Sequence, residues 1–78
     1  MVIAELLKYW RAERDFSFRQ LSELSYVDGA YLHRLENNTA TRPGRNVLLR
    51  VSIGLDLNIE NTNELLMVAG HVPLRRMN

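Results

Sequence analysis

The sequence predicts an all-α fold, a compact bundle of five short helices. Two observations carry the fold class. Apolar residues recur at steps of three and four in five separate segments, the spacing of helices buried on one face. No segment alternates apolar and polar residues for more than a few positions, so sheets and barrels have no support. The 78 residues are 46% hydrophobic and 24% charged, the balance of an ordinary globular protein. One domain over residues 1–78 is expected, without internal repeat, low-complexity tract or interdomain linker.

The first helix follows from the stripe Ile3, Leu6, Leu7, Trp10 and Arg14, and is expected from about Val2 to Asp15. Ser17 then caps a second helix over Phe18 to Leu24. Gln20 stands at the third position of a capping box, and Phe16 and Leu21 are spaced as a hydrophobic staple. The apolar positions of this helix are read as Phe18, Leu21 and Leu24. After the short turn Ser25-Tyr26-Val27, Asp28 caps a third helix holding Tyr31, Leu32 and Leu35, which ends at Glu36-Asn37-Asn38. The polar stretch from Asn37 to Pro43 is a loop. A fourth helix runs from Arg45 to Leu55 through Leu48, Leu49 and Ser52. A fifth is capped by Asn58, faces Leu65, Leu66 and Ala69 inward, and stops at Gly70. The tail, residues 71–78, is expected to be irregular.

Composition narrows the function. There is no cysteine, and His33 and His71 lack ligand spacing, so neither a disulfide framework nor a metal site is expected. No catalytic triad, glycine-rich phosphate loop or paired carboxylates are recognisable, so we expect neither an enzyme nor a cofactor. No apolar run is long enough to span a bilayer, and Met1 leads straight into an amphipathic pattern unlike a signal peptide. A cytoplasmic location without membrane contact is therefore expected. The formal net charge is only +1, but Arg42, Arg45 and Arg50 are concentrated after the third helix.

The distinctive element is residues 17–37, two short helices joined by a tight turn. Leu21, Leu24, Val27, Leu32 and Leu35 are spaced to pack the pair, leaving Gly29, Ala30, His33 and Arg34 on an outward face. Such a helix fits a B-DNA major groove, where base edges are distinguishable. The segment SFRQLSELSYVDGAYLHRLENN resembles the phage repressor/Cro (Xre-like) helix-turn-helix family, a lambda-repressor-like fold. Ser17, Leu21, Val27, Leu32, Leu35 and Glu36 match its pattern in register, and the resemblance extends from about Ile3 to Gly70. There are departures. Ser22 replaces the usual alanine, Tyr26 stands in a turn where glycine is usual, and Asn38 replaces a common glycine. Phe18 replaces a glutamine that contacts the DNA backbone in many relatives. Gly29 and Ala30 replace glutamines that read bases, so sequence reading would be sparse.

The resemblance implies a small transcriptional regulator that binds double-stranded DNA with the helix at 28–37. Gly29, Ala30, His33 and Arg34 would approach bases. Ser17, Arg19, Tyr31, Asn37, Arg42 and Arg45 would contact phosphates. Arg11 and Glu36 correspond to a partly buried ion pair with a structural role. Bland alternatives stand beside these roles: solvent for Arg34 and His33, core packing for Tyr31, and a solvated loop for Arg42 and Arg45. Ile53 with Val68, Val72, Leu74 and Met77 would form a homodimer surface, because two half-sites multiply a weak interface into useful affinity. A different function class also fits, a protein-interaction module or antitoxin-like partner that retains the fold.

Overall fold

A computed structural model describes residues 2–74, and among these every regular element is a helix. In chain order they are α1 (Ile3–Arg14), α2 (Phe18–Ser25), α3 (Gly29–Glu36), α4 (Arg45–Gly54) and α5 (Ile59–Val68). Each lies within a residue or two of its expected bounds. Leu6, Leu7, Trp10, Leu21, Val27, Leu32, Leu35, Leu48, Val51, Leu55, Leu65 and Leu66 close into one buried core. α2 packs chiefly on α4 and α3, while α1 packs on α3 and α5. Of the expected tail, residues 71–74 are irregular but tied down. His71 Nε2 lies 3.0 Å from the carbonyl oxygen of Pro43. The Leu74 amide donates to Asn63 Oδ1 at 2.6 Å, and Asn63 Nδ2 donates back to the Leu74 carbonyl at 3.3 Å. Residues 75–78, including the Met77 expected at a dimer surface, lie outside the described residues.

The helix starts use the predicted chemistry, with one exception. The Ser17 hydroxyl accepts from the Gln20 amide at 3.1 Å, and Gln20 Oε1 accepts from the Ser17 amide at 2.8 Å, completing the capping box. Asn58 Oδ1 accepts from the Asn61 amide at 2.8 Å. Asp28 occupies the cap position of α3, but its side chain makes no cap hydrogen bond. Its expected capping role is therefore corrected to one of position alone.

The helix ends share a rule. α1, α3, α4 and α5 each stop on a residue with positive φ: Asp15 (55°), Asn38 (61°), Asp56 (54°) and Gly70 (84°). In each case the following amide donates to the carbonyl five residues back. These bonds are Phe16 to Arg11, Thr39 to Arg34, Leu57 to Ser52 and His71 to Leu66, and they satisfy carbonyls that the helix leaves open. Aspartate and asparagine tolerate this left-handed conformation and glycine meets no steric penalty in it.

α2 ends differently. Tyr26 carries the positive φ (59°), and the turn is closed by two serines. Ser25 Oγ donates to the Leu21 carbonyl at 2.6 Å and accepts from the Val27 amide at 3.3 Å, while Ser22 Oγ donates to the Val27 carbonyl at 2.6 Å. Both backbone groups of Val27 are thereby satisfied within the motif. Ser22, a departure from the family pattern, thus has a definite task.

Tyr26 itself is 85% exposed, so its ring contributes little packing to offset the left-handed backbone. That conformation costs a side-chain-bearing residue about 1–2 kcal/mol, against about 0.5–1 kcal/mol of extra chain entropy lost by glycine. Tyr26→Gly is therefore expected to raise stability by about 0.5–1 kcal/mol, seen as a melting temperature higher by a few degrees. A lower melting temperature would show that the tyrosine ring holds the turn.

One core expectation is corrected. Leu24 was read as inward-facing but is 49% exposed, and Ser25 is buried in its place at 2%. The reason lies on α4. A Cβ built on Gly54 would stand 2.9 Å from Ser25 Cβ and 3.1 Å from both Leu21 Cδ1 and the Ser25 backbone nitrogen. The helices cross closely here, and the inward position at the end of α2 must be small. Only a side chain that satisfies its own hydroxyl can be both small and polar there.

Candidate nucleic-acid interface

α3 exposes one continuous face. Leu32, Leu35 and Glu36 are buried, whereas Ala30, His33, Arg34 and Asn37 are exposed, spaced at the i, i+3, i+4, i+7 interval that aligns residues along one side. Gly29 is set back from this face. It is half-buried against α2, where an added Cβ would meet Ser22 Cβ at 3.7 Å and the Phe18 carbonyl oxygen at 3.8 Å. Tyr31 is half-buried against the core, and the Arg34 guanidinium lies 5.5 Å from its ring centroid. The backbone beneath Arg34 is also fixed. Its carbonyl accepts from the Thr39 and Ala40 amides at 2.9 and 3.1 Å and from Thr39 Oγ1 at 3.2 Å.

The start of α2 adjoins this face through Phe18. The Phe18 ring meets the His33 ring edge-on, with centroids 5.1 Å apart and planes at 74°. The Arg11 guanidinium lies 4.2 Å from the Phe18 centroid on α1's side. Asn37 Nδ2 stands 3.0 Å from His33 Nδ1, so the imidazole is held by Phe18 and by the amide one turn along. Phe18 was read from its position as an apolar residue of α2, and its role in orienting His33 was missed. An aromatic at the first helical position after a capping box, beside an outward histidine, is too weak a pattern to have found it.

Behind the face lies the expected ion pair. Arg11 Nε donates to Glu36 Oε2 at 2.6 Å and Arg11 Nη2 to Glu36 Oε1 at 3.0 Å, a two-pronged contact joining α1 to the end of α3. Arg11 Nη1 also donates to the Phe16 carbonyl at 2.6 Å. The Glu36 side chain is 3% exposed and that of Arg11 22%. Hydrogen bonding to Glu36 holds the Arg11 guanidinium above its ordinary range, more than burial lowers it.

The remaining candidates are dispersed. Ser17 is exposed at the start of α2 with its oxygen engaged in the capping box. Arg19 is exposed and pairs with Glu23 at 3.2 Å, a solvent-facing contact of little energetic weight that a phosphate could replace. Arg42 is exposed in the loop after α3. Arg45, at the first turn of α4, donates to the Val72 carbonyl and is thereby drawn toward the tail. The apolar residues expected at a dimer surface do not share one groove. Ile53 and Leu74 line one with Leu49 and Leu57, whereas Val68 lines another with Val2, Ile3 and Leu35. Among the described residues no cluster of histidine and carboxylate side chains could hold a metal, and no helix is long and apolar enough to cross a membrane.

This geometry, a capped helix crossing behind an exposed second helix with a three-residue turn between them, is that of a helix-turn-helix. Comparison with known proteins agrees. The chain is similar to HTH-type transcriptional regulators. It is 33% identical over 58 residues to the HTH-type transcriptional regulator SinR of Bacillus subtilis (strain 168), and equally to SinR of Bacillus licheniformis. The matched region is 74% of this chain and 52% of either SinR, so the chain spans about half the length of the curated relatives it matches. No family model matches the chain, and no solved structure matches it significantly. The similarity to SinR accords with the helix-turn-helix reading of α2 and α3.

Proposed function

We propose that the chain binds duplex DNA as a small transcriptional regulator, with α3 in the major groove and the start of α2 against the backbone. The single observation that carries this reading is the outward face of Ala30, His33, Arg34 and Asn37, on a helix whose opposite side is fully committed to the core. A helix of this diameter enters the major groove, and the small Ala30 lets its first turn approach closely. Arg34 is the strongest candidate base reader, with a fork of donors matched to the acceptors of guanine. His33 is oriented to assist, while Ser17, Arg19, Tyr31, Asn37, Arg42 and Arg45 are proposed phosphate contacts. Gly29 is proposed to permit close approach of the backbone. Binding as a homodimer on two half-sites fits the modest number of base-reading side chains.

The similarity to transcriptional regulators supports this reading, as does the fold. The test is fluorescence anisotropy on random duplex pools at several salt concentrations, followed by selection of enriched sites. Affinity should fall steeply with salt, because phosphate neutralisation releases counterions. Arg34→Ala is expected to weaken binding to the selected site by about 1–3 kcal/mol and to relax preference at one base position. Uniform weakening on all sequences would make Arg34 a phosphate contact instead. No binding even at low salt would reject the proposal, and an enriched site lacking two-fold symmetry would reject the dimer.

A further inference from the structure

Two outward side chains of α3, His33 and Arg34, each lean on a half-buried ring. At about 100° per residue they fall on opposite flanks of the line through Ala30 and Asn37. On one flank the Arg34 guanidinium lies 5.5 Å from the Tyr31 centroid. On the other, the His33 ring meets Phe18 of α2 edge-on, with centroids 5.1 Å apart. Phe18 is itself held. The Arg11 guanidinium, 4.2 Å from its centroid, is fixed by two bonds to Glu36 and one to the Phe16 carbonyl. His33 thus ends a chain of contacts running from α1 through α2 to α3, although its own side chain is exposed.

Asn37 completes the arrangement. Its amide nitrogen is nearer His33 Nδ1 (3.0 Å) than Nε2 (3.4 Å). An amide NH2 can only donate, so Nδ1 accepts and Nε2 carries the ring proton. An unsupported surface histidine would turn among its rotamers, whereas this one offers a single N–H donor from a fixed position. We propose that Phe18 is a positioning residue for sequence reading. Held by it, His33 donates from Nε2 to an acceptor on a base edge, at a base position distinct from that of Arg34. The acceptors in the major groove are purine N7, guanine O6 and thymine O4, whereas cytosine presents a donor there. Cytosine is therefore the base excluded on the contacted strand. The Phe18 ring has no polar atom, so it acts only through His33 and adds no phosphate contact. The proposal rests on the reading of α3 as a DNA-binding helix, and gives its face a second base reader beside Arg34.

The test has one arm without DNA and one with it. In the free protein, the Phe18 and His33 ring protons should show mutual nuclear Overhauser effects, and ring current should displace the His33 resonances. Phe18→Leu should return those resonances to the values of an unconstrained histidine. On duplexes selected from a random pool, His33→Ala should cut preference at one base position roughly three- to tenfold, the worth of one net hydrogen bond. Phe18→Leu should relax the same position roughly threefold, through lost immobilisation of the imidazole. It should leave the Arg34 position and the affinity for random duplex unchanged. Phe18→Tyr, which keeps the ring, should retain the preference. The double variant Phe18→Leu/His33→Ala should be no worse at that position than His33→Ala alone. Circular dichroism verifies that each variant folds. An unconstrained His33 in the free protein would overturn the proposal while leaving DNA binding intact. So would a Phe18→Leu variant that keeps the full base preference or weakens all sequences equally. Absence of duplex binding even at low salt would overturn both readings.

Discussion

Replacing Glu36 with alanine is expected to lower stability by about 3 kcal/mol. Losing one member of a buried ion pair costs roughly 3–5 kcal/mol, mostly because the remaining charge is left without its partner. The lower end applies because the Arg11 side chain retains 22% exposure and can recover some hydration. Arg11 also keeps its bond to the Phe16 carbonyl and its place over the Phe18 ring, which limits the loss further. For a domain of this size, such a change corresponds to a fall in melting temperature on the order of 15 °C. Glu36→Gln, which preserves shape and one acceptor, should fall between the two. Thermal and urea unfolding of the three proteins tests this, and an unchanged melting temperature for Glu36→Ala would refute the structural role of the pair. DNA selectivity should move less than stability, because Glu36 is buried behind the exposed face of α3.

Gly54→Ala is expected to destabilise by about 2 kcal/mol, although alanine is the better helix former by about 1 kcal/mol. The added methyl would stand 2.9 Å from Ser25 Cβ and 3.1 Å from the Ser25 backbone nitrogen. Ser25 cannot easily retreat, because its hydroxyl is bonded to Leu21 and Val27 on either side. The strain therefore spreads into the α2–α3 turn, so this variant should also impair any function that depends on the relative placement of those helices. Gly44→Ala is the internal comparison. Nothing lies within 4 Å of a Cβ there and φ is −71°, so that change should cost less than about 1 kcal/mol, the advantage of glycine over alanine at the N-cap of α4. Equal melting temperatures for the two alanine variants would show that the α2–α4 crossing relaxes freely.

These two positions also mark what the sequence could reveal. The five helices were legible because Ser17, Asn58 and Gly70 announce starts and stops locally and because the apolar period is clean. The pairing of Arg11 with Glu36 was legible only through resemblance, since nothing in the spacing of those residues connects them. Leu24 was misplaced because a local reading favours the larger apolar residue. What decides the inward position is Gly54 on another helix, a contact no local pattern contains. The outward placement of Ala30, His33 and Arg34 follows from period alone, whereas Gly29, expected on the same face, is half-buried. The seating of Gly29 against Ser22 and the grouping of Phe18 with His33 depend on the angle between two helices, which period does not specify.

The two arginines at the end of α1 have a consequence for how the molecule opens. Arg11 reaches Glu36 and Phe16, while Arg14 donates to the Leu55 carbonyl at 2.9 Å and the Asp56 carbonyl at 3.4 Å. The first helix is thus stitched to the ends of both α3 and α4. Detaching it would strand a buried carboxylate and uncover the floor of the core at Leu7 and Trp10. A helix at the edge of a domain ordinarily frays in a separate low-energy opening. The bonds from Arg11 and Arg14 oppose that route, so α1 is expected to open together with the helices it clasps.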